Sequence, residues 1–179
     1  MIKKRHVLFI VENNPVPNDR RVWAEATAVK NFGFDVSVIC PVIKNGEKLS
    51  KKTIEGIDIY YHPRPHEGQG KKDMILEYVN AIFWEILLCI QLFLKKPFHI
   101  IHGANPPDHI FLIALPFKLF GVSFIFDHHD ITPENYVAKF GKKGFLFKIL
   151  HLMEKATFRT ANIVISTNES YKKIATSMR

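Results

Sequence analysis

The residues best suited to chemistry fall in short polar segments that directly follow apolar runs. Asp127-His128-His129-Asp130 follows Val122–Phe126, Asn105 and Asp108 follow Phe98–His102, and Asn18-Asp19-Arg20-Arg21 follows Arg5–Val11 and a short loop. A carboxylate in such a cluster can orient an imidazole. Neighbouring side chains of an extended segment point to opposite faces, so if His129 faces a ligand, His128 faces away. Asp130 has two readings, as a partner that orients an imidazole or as a cap on the next helix. A metal reading of His128, His129 and Asp130 is weak, because they lack a structural-site ligand pattern. His99 and His102 are three apart and face opposite sides of a strand, which favours core-edge or loop roles. Asp19 reads as a helix N-cap. Arg20 and Arg21 stand where backbone amides already favour negative charge, which suits a phosphate, with plain surface charge as the alternative. Asn105 can bind a hydroxyl, and Asp108 reads as a cap. Glu134 and Tyr136, just beyond, read either as ligand contacts or as ordinary surface residues.

These segments need elements to hold them. Arg5–Val11, Asp35–Cys40, Ile57–His62, Phe98–His102, Val122–Phe126 and Ile163–Ser166 are short, β-branched or aromatic, and read as strands. Helices are expected from Asn18 or Asp19 to Gly33, from an Asp73 cap to Leu94, from Asp108 to about Phe120, and from Lys143 to Thr160. A last helix opens at Asn168 or Glu169 and runs to the end of the sequence. Lys44–Glu55 and Pro63–Lys72 read as loops. Strands alternating with helices predict an α/β domain: a mostly parallel sheet in three layers, with helices on both faces. Ligands in such sheets bind outside the carboxyl ends of the strands, where the polar segments lie.

Composition narrows the class. With 179 residues, 47% hydrophobic and 23% charged, the chain is long enough for one globular domain. The net charge of +8 favours an anionic partner or a Lys-rich surface. Its Lys pairs are spread out and lack an ordered aromatic platform, which argues against nucleic acid. Cys40 and Cys89 lie in apolar runs without metal or redox spacing, as buried thiols of a reducing compartment do. Val7–Val11 is too short for a signal-peptide core, so a cytoplasmic location is the default. Met74–Leu94 contains Glu77 and Glu85, which favours a long core or interfacial helix over a span. Lys142–Leu150 is basic and aromatic. It reads as an amphipathic core helix, with interfacial membrane binding as the alternative. Gly68-Gln69-Gly70-Lys71-Lys72 fails as a phosphate loop, since Asp73 stands where Ser or Thr is needed. No G-x-G-x-x-G or G-x-S-x-G occurs.

Taken in order, Pro17–Ala26, Gly33–Ile39, His102–Asp108, Phe126–Glu134 and Ala161–Asn168 resemble the N-terminal, acceptor-side domain of family 4 retaining glycosyltransferases with the two-Rossmann-domain (GT-B) fold. The resemblance covers nearly the whole chain. It implies sugar transfer from a nucleotide-sugar donor to a saccharide or lipid-linked acceptor, with retained configuration, in a cleft between two domains. It also implies a cytoplasmic enzyme that builds surface polysaccharide or glycolipid, peripheral at the inner membrane face where the acceptor is lipid-linked. No cofactor or metal is implied. Residues 1–179 would form one domain, the donor-binding domain would lie outside them, and this chain alone would be inactive. The family pattern Asp-any-His-Asp places His129 on the family's site histidine, so it is the candidate catalytic residue. Asn18, Asp19, Arg20, Arg21, Asn105, Asp127, Asp130 and Glu134 are the candidate substrate-binding residues. Where members carry a Gly-Gly turn after the first strand, this chain has Asn13-Asn14-Pro15. Two alternatives stand beside this reading: a non-catalytic membrane-docking subunit of a split transferase, and half of a sugar-nucleotide epimerase.

Overall fold

The computed structural model describes residues 4–42, 44, 48–64, 70–106, 108–141 and 143–178. Residues 65–69, which include Gly68 and Gln69 of the failed phosphate-loop segment, lie outside them, as do Pro107, Lys142 and Arg179. Seven strands form one sheet: β1 His6–Val11, β2 Asp35–Pro41, β3 Ser50–Ile54, β4 Ile57–His62, β5 Ile100–Ala104, β6 Ser123–His128 and β7 Ile163–Ser166. Their spatial order is β3-β4-β2-β1-β5-β6-β7, and every neighbouring pair is parallel except β3–β4. The helices are α1 Arg20–Asn31, α2 Lys71–Lys95, α3 Ile110–Lys118, α4 Thr132–Phe140, α5 Phe145–Thr160 and α6 Glu169–Met178. The domain is α/β, Rossmann-like and three-layered.

Alternation along the central strands sets the layers. Val7, Phe9 and Val11 pack with Val22 and Ala26 of α1 on one face. Leu8 and Ile10 point the other way, into a core with Leu88, Ile113, Phe158 and Ala175 from α2, α3, α5 and α6. β1 lies at the sheet centre with β2 and β5 parallel on either side, and the chain order reverses there. In open α/β sheets the crevice at such a reversal is the usual ligand position.

Several boundaries differ from the sequence reading for physical reasons. Lys44–Glu55 is not all loop, because Ser50–Ile54 pairs antiparallel with β4. Its hairpin turns at Glu55 and Gly56, both at positive φ (48° and 75°), as a tight two-residue turn needs. α2 begins at Lys71, not after an Asp73 cap. Asp73 sits inside the first turn, where its Oδ2 accepts from the Gly70 backbone N–H at 2.9 Å. α3 begins at Ile110, and Asp108 does not cap it. Thr132–Phe140 is a separate helix whose N-cap position is Ile131, so Asp130 does not cap it. Both cysteines are free and buried, as expected.

Candidate functional site

The carboxyl ends of β1, β5 and β6 share one edge, and the polar segments meet there. α1 is brought to this edge by a pinned loop: Tyr61 donates its hydroxyl to Val16 O (2.8 Å), and Asp19 N–H donates to Pro15 O (3.0 Å). Asp19 then caps the helix, its Oδ1 accepting from Val22 N–H at 3.0 Å. Asn18 and Arg20 are exposed, whereas Arg21 turns inward. Its Nε and Nη2 are shielded from solvent and have no hydrogen-bond acceptor among the described residues.

Asn105 ties two strand ends together. Its Oδ1 accepts from the backbone N–H of His129 (2.6 Å) and Asp130 (3.1 Å). Its Nδ2 donates to Asp130 O (2.6 Å) and Asp108 Oδ1 (2.9 Å). The turn after β6 is thereby fixed in space before any ligand arrives. Asp130 is held through its backbone.

Within that turn, His129 Nε2 meets Asp127 Oδ2 in a short contact. The same carboxylate oxygen lies 3.5 Å from His102 Nε2, and His102 Nε2 lies 3.6 Å from Glu25 Oε2. His102 is stacked on Phe9, with centroids 4.5 Å apart, which fixes its ring against β1. Burial alone would raise the Asp127 carboxyl, but the contact with His129 and the adjacent His102 ring hold it well below the ordinary carboxylate range. Burial and the nearby Asp127 charge push the Glu25 carboxyl upward. One ligand atom each of His102, Asp127 and Glu25 lie within 4.8 Å of one another, a spacing that could hold a cation. The weaker metal reading fails, because His128 faces away from His129. Its ring packs on Phe126, Phe158 and Tyr171, and burial lowers its pKa to about 4.

The remaining candidates are spread more widely. Glu134 is exposed in the first turn of α4. Tyr136 is buried, its ring tilted against that of Phe140, so it does not reach outward toward a ligand. Asp108 is buried beneath Asn105, and burial lifts its carboxyl to about 6. Sequence reasoning missed Glu25 and set His102 aside. Glu25 lies four residues after Arg21, one helical turn further along α1, and that spacing was the available signal. His102 needed the sheet register, which sets it beside Phe9.

Chemically, the edge offers an ionised carboxylate holding an imidazole in one orientation, an inward guanidinium and a second imidazole. Such a set can grip hydroxyls and anionic oxygens and stabilise developing positive charge. Compared with known protein families and with curated proteins, the chain matches none.

Proposed function

We propose that this chain is the acceptor-side half of a retaining GT-B hexosyltransferase, which moves a sugar from a nucleotide-sugar to a glycan or lipid-linked acceptor. The observation that carries the reading is the Asp127–His129 pair, clamped by Asn105 at the carboxyl edge of a parallel sheet, where such sheets commonly bind ligands. A ring held this way can hydrogen-bond a sugar hydroxyl near the reacting carbon. Glycosyl transfer passes through an oxocarbenium-like state whose geometry must be maintained. Ionised Asp127 fixes the ring and favours positive charge beside it. Arg21 supports the reading from the helix side, since its unpaired donors suit phosphate oxygens. The donor nucleotide belongs to a second domain, so this chain by itself is expected to transfer no sugar.

The test is turnover by the complete two-domain enzyme and by its His129→Ala variant. The variant should lose about 100-fold or more in kcat while its circular dichroism stays unchanged. Equal rates, or robust transfer by the isolated chain, would overturn the reading. Incubation with donor alone separates the epimerase alternative, because an epimerised nucleotide-sugar would then accumulate without acceptor.

A further inference from the structure

We infer that the outer face of α2 and α3 docks flat on an anionic lipid surface, an inference independent of the catalytic reading. α2 has two faces. Ala81, Glu85, Leu88, Cys89 and Leu92 recur at helical spacing and are buried. Leu76, Val79, Phe83, Ile90 and Leu94 form the opposite stripe and are exposed, Leu94 by 77%. On α3, Leu112 and Leu115 are also exposed, and Leu119 and Phe120 just after it are exposed by 88% and 70%. The two helices touch through Phe93, whose ring lies 5.2 Å from that of Phe117 and 5.6 Å from that of Phe120. The result is an apolar surface two helices wide, the kind of exposed patch that marks an interaction site.

Charge defines its occupant. Between Glu77 and Lys95 the sequence has no Asp, Lys, Arg or His and a single Glu, the fully buried Glu85, and α3 carries no charge before Lys118. Lysines border the surface: Lys72 at one end, Lys95 and Lys96 at the other, and Lys118 at the end of α3. Lys96 also pairs with Asp35 at 3.0 Å. Apolar residues rimmed by lysines on a chain of net charge +8 complement acyl chains beneath anionic headgroups. A second copy on the same face would bring the two lysine rims together, and the patch is broader than the single seam a helix pair needs. α2 is long and apolar enough to cross a bilayer. Crossing would strip Leu88, Cys89 and Leu92 from the core and break the buried Glu85–His109 pair, whose atoms are 3.1 Å apart. The helix therefore lies on the membrane and does not span it.

The test uses flotation with phosphatidylcholine vesicles, with and without phosphatidylglycerol. The chain should float with the anionic vesicles and be released in part by salt. Phe83→Glu combined with Leu94→Glu should lower partitioning about tenfold or more. Phe32→Glu, at an exposed apolar residue that ends α1, should leave it unchanged. In a Trp23→Phe background, Trp84 on α2 should be quenched by brominated lipid. Absence of flotation, equal flotation of the α2 double variant, no quenching of Trp84, or a stable dimer dispersed by that double variant would overturn the proposal.

Discussion

Asn105 is the residue on which the site's geometry converges. It is fully buried, and its carboxamide uses both its oxygen and its nitrogen, donating and accepting across two strand ends. Replacing it with Ala would leave the His129 and Asp130 amides and an Asp108 oxygen without that partner. The expected cost is about 2–4 kcal/mol by urea denaturation, because buried groups left unsatisfied carry their desolvation penalty. Amide exchange at His129 and Asp130 should accelerate together. Unchanged protection at those two amides would refute the clamp. The local chemistry of this site was legible from the sequence: His129, Asp127 and Asn105 each stand just past or at the end of an apolar run, where strand ends collect ligand groups. Glu25 and His102 were not legible, because their meeting depends on how α1 crosses the sheet and on the register of β1 against β5.

At the scale of elements, the close packing of β5 against α3 sets where that turn lies. A Cβ built on Gly103 would lie 2.5 Å from Ile110 Cγ2, 3.0 Å from Ile110 Cδ1 and 3.2 Å from Phe124 Cε2. Gly103→Ala should therefore push the start of α3 outward and cost about 1–3 kcal/mol. Ile110→Ala alone leaves a cavity and should cost about 2–5 kcal/mol. The double variant should cost less than the sum, because the new methyl enters the space vacated by Ile110. Simple additivity in denaturant titrations would show that the two sites are not in steric contact. Six of the seven strands were legible from runs of β-branched and aromatic residues, since central parallel strands are buried on both faces. Ser50–Ile54 escaped because it is an exposed edge strand carrying Lys51 and Lys52, and charge on an edge looks like loop. The true start of α2 escaped because Gly70, with no side chain to signal a cap, precedes it.

The whole molecule carries its acids and bases unevenly, and this should show in its pH dependence. Glu154 is buried on α5, and burial, then the charges of Asp108 and Glu134, push its carboxyl up to about 8. His151 Nδ1 lies 3.5 Å from it but is half exposed. Burial, reinforced by the Glu85 charge, raises Glu12 as well. A carboxyl raised in the folded state binds its proton more tightly there than in the unfolded chain. Its stabilising contribution is complete below the unfolded value and is lost as pH rises through the folded one. Asp127 has the opposite sign, so its contribution is present above the unfolded value and is lost as pH falls through its depressed folded value. Stability should therefore peak in mild acid and decline from about pH 5 through about pH 8, the window bounded by the ordinary Glu value and that of Glu154. Glu154→Gln keeps the shape and removes the ionisation, so it should be near neutral at pH 5. At pH 9 it should stabilise the fold by at least about 1 kcal/mol. Urea titrations of both proteins from pH 5 to pH 9 decide the matter. Curves that stay parallel would mean that Glu154 ionises in the folded chain as it does in the unfolded one, so that the buried acid on α5 does not control the alkaline limb.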